Sequence, residues 1–228
     1  KKLKPDIILT QSQCEVCAVS EKDVQSVVKN ITGINPDIIS VEPNSIKDIF
    51  SDIKIIAEVL NVIDRGADLI DFMKNRIRVL KKSYDIKSGP TVAAIEWINP
   101  LMAAGNWVPE LIEMAGGINL FGEAGKHSPW MNYQDLIEKN PQTIIIMPCG
   151  YNIQKSIVEI DSLIKQKGWE ELSAVKNDKV YITDGNQFFN RPGPRIIESL
   201  EILIEIFHND KTNFKHIYSG WINLDSTK

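Results

Sequence analysis

Residues 64 to 84, DRGADLIDFMKNRIRVLKKSY, place Ala67, Ile70, Met73, Ile77, Leu80 and Tyr84 three or four apart with no proline to interrupt them. That spacing predicts one amphipathic helix of about twenty residues, roughly 30 Å long. Its length exceeds what a crossover between neighbouring strands needs, so it reads as a rigid strut with a separate α/β unit on each side.

The flanking segments fit that division. Upstream, a short apolar strand over residues 6 to 10 is followed by a helix starting at Ser20, with Val24, Val27, Val28 and Ile31 on one face. A strand at DIISVE (37 to 42) comes next, then a helix capped by Ser45 and Asp48 that carries Ile46, Ile49, Phe50, Ile53 and Ile56. Downstream, KSGP resets the chain and the alternation restarts. TVAAIEW (91 to 97), TIIIM (143 to 147) and KVYIT (179 to 183) read as strands. Helices are expected from Asn106, capped there and ended by Gly116 and Gly117, from Asn132, over 153 to 165 and over 194 to 207, the last with Ile197, Leu200, Ile204 and Phe207 inward. Strand–helix alternation of this kind predicts right-handed crossovers and parallel sheets. The expected parts are a partial N-terminal α/β lobe (1–63), a connecting helix (64–86) and a C-terminal α/β lobe (87–228).

Two strand phrases resemble one another: KPDIILTQSQC near the start and NPQTIIIMPCG at 140 to 150. Each ends in polar residues and a cysteine just past the carboxyl end of its strand, where open parallel sheets bind their ligands. The chain has three cysteines, Cys14 and Cys17 in a C-x-x-C and Cys149 alone, and three scattered histidines, His127, His208 and His216. That supply is too small for a four-thiolate site, and the scatter of the histidines argues against a classical Cys/His zinc site. The cysteines remain open to three readings: a Cys14–Cys17 disulfide or small buried side chains, a ligand contact or soft metal ligand, or redox use.

Net charge −4 without a basic block excludes an electrostatic footprint for nucleic acid. No apolar run approaches the ~20 residues of a membrane span. The apolar stretch after the basic KKLK is too short for a signal-peptide core, and no small-residue cleavage site follows it, so no signal peptide is read in this chain. G-x-S-x-G, G-x-x-x-x-G-K-[ST] and H-E-x-x-H are absent, which favours binding over catalysis.

An ordered set of phrases then resembles one family: LKPDIIL, QCEVCAV, NPLMAAGNWVPELIEMAGGINLF, NPQTIIIMPCGY and AVKNDKVYITDGNQFFNRPGPRIIESLE. Together they are similar to the helix-hinged (class III) substrate-binding proteins of ABC importers, which carry cobalamin, iron–siderophores or haem, and QCEVCAV is similar to the cobalamin-binding branch. The resemblance implies two α/β lobes joined by a long helix, a ligand held between them without chemistry, and surface carboxylates that dock on a permease. It implies an extracytoplasmic protein, periplasmic or at the cell surface and peripheral to the membrane. In the family, LKPDIIL lies well inside the first lobe, whereas here it opens the chain, so a truncated first lobe is expected.

On that resemblance the ligand-binding candidates are Gln11, Cys14, Glu15, Cys17, Trp97, Trp107, Trp130, Cys149, Tyr151, Gln187, Phe188, Phe189 and Arg191. A corrin presents a wide apolar face that flat side chains cover at small entropy cost, and Trp130 matches a tryptophan that cobalamin-binding relatives use. Trp169 and Trp221 are expected to be packing residues. Loops rich in Gln and Asn, with Arg191 as the nearby cation and Arg195 left to brace the last helix, favour an amide-rich ligand such as cobalamin over an iron chelate or haem. For docking, the family's glutamate position is occupied by Gln134, and Asp135 beside it is the candidate. Outside the family, a thiol oxidoreductase using Cys14 and Cys17, or a partner-binding domain without a ligand, are the competing functions.

Overall fold

The computed structural model describes residues 5–12, 28, 36–84, 89–208, 212 and 214–227. Strands β1 (Ile7–Gln11) and β2 (Asp37–Val41) pair in parallel, with Leu9 opposite Ile39. The helix read from Ser20 lies outside the described residues. β1 was expected to be buried, but Leu9 is exposed and its neighbours are half-buried.

Helix α1 (Ile46–Val59) begins where expected: the Ser45 hydroxyl accepts the Asp48 N–H, a cap worth about 1 kcal/mol. Helix α2 (Ile63–Ser83) is the expected long helix. Its buried residues are Gly66, Met73 and Leu80, seven apart, which is one seam on a straight helix. Ala67, expected on that seam, is exposed. Met73 and Leu80 pack into the core that the second sheet shares, while Gly66 lies against Ala57 of α1, so the second half of α2 braces that sheet and the first half holds α1.

The second sheet has the order β4-β3-β6-β7-β8, with β5 also pairing with β3. It comprises β3 (Thr91–Trp97), β4 (Met102–Ala103), β5 (Ile118–Asn119), β6 (Thr143–Ile146), β7 (Val180–Thr183) and β8 (Trp221–Asn223). β3, β6 and β7 run parallel, as expected from their apolar runs, while β8 adds antiparallel to β7. Helices α3 (Val108–Met114), α4 (Tyr133–Lys139), α5 (Ile153–Glu159), α6 (Asp161–Ile164), α7 (Ser173–Lys176) and α8 (Ile196–Phe207) complete the unit. The segment expected as one helix over 153 to 165 is divided at Ile160. α3 starts two residues beyond its expected cap, because Asn106 adopts a left-handed backbone with φ of 53°. Asn132 caps α4 as expected, and Trp169 and Trp221 are buried.

Strand periodicity explains the two cores. Val92, Ala94, Ile145, Met147 and Tyr181 point to one face, where they meet Met73 and Leu80 of α2, Leu111 of α3 and Leu200 and Leu203 of α8. Ala93, Ile95, Ile144, Ile146, Val180 and Ile182 point to the other, against Leu136, Ile153, Leu163, Trp169 and Leu172. Burial on both faces is why these strands read as continuous apolar runs instead of alternating ones. All three central strands end at the same edge, which the parallel arrangement dictates.

A charged brace ties α2 to this unit. Arg76 donates from Nε and Nη2 to Glu201 Oε1 at 2.9 and 2.5 Å, and His216 Nε2 lies 3.0 Å from Glu201 Oε2. The hydrogen bond to Glu201 holds the His216 imidazole above its ordinary pKa, against the opposing pull of burial. Burial acts to raise the Glu201 pKa, but bonds from His216 and Arg76 outweigh it and hold the carboxyl low. A raised histidine contributes stability that is complete below its unfolded pKa of about 6.5 and is lost as pH rises through the folded value. The urea midpoint is therefore expected to be higher at pH 6 than at pH 8.5, and the difference to shrink in His216→Gln. An unchanged difference in that variant would remove His216 as its source.

Candidate ligand-binding site

Just past the carboxyl ends of β3 and β6, a row of aromatic side chains crosses the sheet edge. Trp97, the last residue of β3, sits with its ring centroid 5.2 Å from that of Tyr151, the planes tilted by 59°. The Trp97 indole N–H donates to the Asn99 carbonyl at 3.1 Å, which fixes the ring from one side. The Lys155 ammonium lies 3.6 Å from the Tyr151 ring centroid, a cation–π contact. Between the rings is a notch of about 60 Å³ lined by Trp97, Ile98, Asn99, Pro148, Tyr151 and Glu159. A notch of that size holds a substituent, not a whole ligand.

The row continues on the other side of Trp97. Trp97 is in register with Met102 of β4, and Met102 forms an antiparallel bridge with Trp130. Trp130 is 67% exposed, although the segment around it is fastened: Ala103 N–H donates to Pro129 O and Met131 N–H to Leu101 O, both at 3.0 Å. A bare indole on a fastened segment is the most conspicuous apolar surface of this edge. Cys149 joins from β6, where its N–H donates to the Glu96 carbonyl at 3.2 Å and its side chain is half-buried. Trp130, Trp97, Tyr151 and Cys149 thus lie along one edge of the sheet.

Other candidates fall elsewhere. Trp107 is 4% exposed and its indole N–H donates to the Phe189 carbonyl at 3.0 Å. Phe189 is fully buried and Phe188 nearly so. These three rings were expected on the rim. They lie in the core instead, packed in the apolar cluster with Leu111, Ile196 and Leu200, and the Trp107 donor finds its acceptor there in the Phe189 carbonyl. Gln187 is exposed but bonded to Asp184 through its backbone N–H and side-chain amide. Arg191 donates to the carbonyl and the side-chain oxygen of Asn186, so its guanidinium fastens its own loop. Arg195 is the N-cap residue of α8 without a side-chain cap bond; its backbone carbonyl accepts the Ser199 N–H as in any helical turn. Gln11 ends β1, half-buried, at the carboxyl edge of the first sheet. Cys14, Glu15 and Cys17 lie outside the described residues. Asp135 accepts the Asn132 N–H in a capping box, while Gln134 is exposed and bonded to Glu138.

Two residues that were not singled out in the sequence lie behind this row. Glu96 is the one charged residue of TVAAIEW. Burial pushes its carboxyl above the usual range, partly offset by a hydrogen bond from Ser128, the nearby His127 and the Gly105 N–H. A charge inside an otherwise apolar strand was the available signal. Its partner Ser128 had none, because a serine among loop residues is ordinary. Among the described residues, no group of three or more His, Cys, Asp or Glu is placed to hold a metal ion, and no helix is long and apolar enough to cross a membrane.

The Periplasmic binding protein family profile matches residues 1–186. The chain belongs to the periplasmic binding protein family. Within that family it is 30% identical over 101 residues to the vitamin B12-binding protein of Vibrio cholerae, covering 44% of this chain and 33% of that protein. It is 24% identical over 215 residues to the uncharacterized ABC transporter substrate-binding lipoprotein YvrC of Bacillus subtilis, covering 91% of this chain and 63% of that protein. The chain thus spans a third of the vitamin B12-binding protein's length and under two-thirds of the lipoprotein's. In fold, it is similar to an ABC transporter substrate-binding protein from Listeria monocytogenes (TM-score 0.72, 19% identity, 90% of this chain and 77% of that one). The periplasmic heme-binding protein RhuT from Roseiflexus is also similar (TM-score 0.70, 19% identity, 90% and 76%). So is the periplasmic vitamin B12 binding protein BtuF of Vibrio cholerae (TM-score 0.62, 18% identity, 91% and 76%). The fold expectation of a mixed α/β periplasmic binding protein with parallel sheets therefore holds.

Proposed function

We propose that this periplasmic binding protein is the substrate-binding component of an ABC importer, that its ligand is a corrinoid, cobalamin, and that it delivers that ligand to the permease. The observation that carries the reading is Trp130, an indole left 67% exposed on a fastened segment that pairs with Met102, itself in register with Trp97. Exposing a large aromatic group to water is unfavourable, and an exposed ring on a backbone held at both sides suits a flat apolar guest. The likeness to vitamin B12-binding proteins supports the same ligand. On this reading Trp130 and Trp97 cover the corrin face, and Tyr151, Cys149 and Gln11 meet its amide rim. Cys14, Glu15 and Cys17 complete the site from the first lobe. Arg191 orders the Asn186 loop behind it. Asp135 is the docking carboxylate, and residues 1–63, 64–86 and 87–228 act as first lobe, connecting helix and second lobe. The protein works outside the cytoplasm, peripheral to the membrane.

An iron–siderophore or haem is the competing cargo within the family, and likeness in fold to a heme-binding protein favours keeping it in the test. A panel decides: cyanocobalamin, haemin and a ferric hydroxamate are each incubated with the full chain and retained ligand is measured by visible absorbance after ultrafiltration. Retention of cyanocobalamin alone is expected. Preferential retention of haemin or the ferric chelate would overturn the corrinoid assignment.

A further inference from the structure

Behind Trp130 lies a polar tie that the ligand contacts do not account for. The Ser128 hydroxyl donates to Glu96 Oε2 at 2.7 Å and accepts the Gly105 N–H at 3.0 Å. Ser128 is 5% exposed, and Glu96 sits at the end of β3, immediately before Trp97. The tie therefore connects the segment carrying Trp130 to the strand that ends in its neighbouring aromatic. The segment also lies flush on the backbone at Gly105. A Cβ there would stand 2.6 Å from the Lys126 carbonyl oxygen and 2.7 Å from the Ser128 nitrogen. The Asn106 N–H donates to that same Lys126 carbonyl at 2.7 Å.

Backbone bonds on either side of Trp130 hold it to the β4 arm, a strand of two residues. An arm that short supplies few ladder bonds of its own. The side-chain tie reaches past it to β3, one of the central strands. Removing a buried hydroxyl that both donates and accepts leaves a carboxylate and an N–H short of partners, which costs far more than the hydroxyl's own packing.

We propose that Glu96 and Ser128 are positioning residues for Trp130: they clamp its segment to β3 so that the indole stands ready at the sheet edge before ligand arrives. This rests on the reading of Trp130 as a ligand contact. A clamp of this kind has a kinetic signature. If the bound arrangement is populated only in part, the apparent dissociation constant rises by the reciprocal of that fraction. The loss falls on association, since the bound complex itself is unchanged. Removing a true contact acts instead through dissociation.

The test is stopped-flow binding of cyanocobalamin to the wild type, Ser128→Ala, Glu96→Gln and Trp130→Ala. Ser128→Ala is expected to slow association about tenfold with dissociation unchanged, Glu96→Gln to act in the same direction, and Trp130→Ala to speed dissociation. If Trp130→Ala loses affinity while Ser128→Ala and Glu96→Gln keep wild-type association rates, the clamp is wrong and the ligand reading stands. If Trp130→Ala binds as the wild type does, or the wild type does not bind, the ligand reading fails and the clamp as a binding device fails with it. A second measurement needs no ligand: the fluorescence anisotropy decay of Trp130, isolated by subtracting a Trp130→Phe reference. A new fast component is expected in Ser128→Ala, and an unchanged decay would overturn the clamp by itself.

Discussion

Glu205→Ala is expected to lower the unfolding free energy by about 3 kcal/mol, a large share of what a domain this size has to lose. Glu205 lies in the last turn of α8 and is 1% exposed. Its carboxylate is the meeting point of three donors on the segment that follows the helix. Oε2 accepts the Trp221 indole N–H at 2.8 Å, and Oε1 accepts the backbone N–H groups of Phe214 and His216 at 2.6 and 3.5 Å. The bonds fix the return of the chain into β8, the antiparallel strand at the sheet's end. Alanine at 205 leaves a buried indole N–H and a part-buried amide without their acceptor, and a buried unsatisfied donor costs about 1–3 kcal/mol. Urea unfolding of wild type, Glu205→Ala and Glu205→Gln checks this. The glutamine retains an acceptor and should fall between the other two. A Glu205→Ala midpoint equal to that of the wild type would show that the segment is held without the carboxylate.

The second large effect separates two tryptophans that sequence reasoning placed in the same cleft. Trp107→Ala is expected to cost about 3–5 kcal/mol of stability, the range for removing a buried aromatic and leaving a cavity. Its indole is packed in the core with Leu111 and Phe189, and its loss also strips the Phe189 carbonyl of a donor. Trp130→Ala should leave stability within about 0.5 kcal/mol of wild type, as for an exposed position. Thermal and urea unfolding of the pair measure the contrast. Equal destabilisation by both changes would mean that Trp130 is held by packing, and would remove the reason for regarding it as a ligand surface.

That contrast marks where reading the chain as text stops. The apolar runs of TVAAIEW, TIIIM and KVYIT fixed three strands and their common direction, and so identified the edge at which Trp97, Trp130 and Cys149 assemble. The side-chain caps at Ser45 and Asn132 were legible because capping is local chemistry between residues three apart. Which way a ring points is not local. Trp107 and Phe189 lie 82 residues apart, meet in one apolar core, and there the Phe189 backbone carbonyl satisfies the Trp107 N–H. The clamp partners Glu96 and Ser128 are 32 residues apart and share no spacing rule. β8 went unread because Trp221–Asn223 is too short for a period to show, and its place is set by pairing with β7. On α2, the apolar pattern gave the helix and its length, but a glycine, Gly66, took the buried place that Ala67 was expected to fill. Composition weights apolar side chains. Close approach between helices selects for the absence of one.

The most decisive measurement is an isothermal titration of cyanocobalamin into the full chain, repeated with Trp130→Ala. A saturable isotherm is expected for the wild type, with affinity falling by about tenfold or more in Trp130→Ala, as for an aromatic anchor at the centre of a contact. No heat of binding with the wild type, or superimposable isotherms for the two proteins, would contradict a corrinoid site at this edge of the sheet.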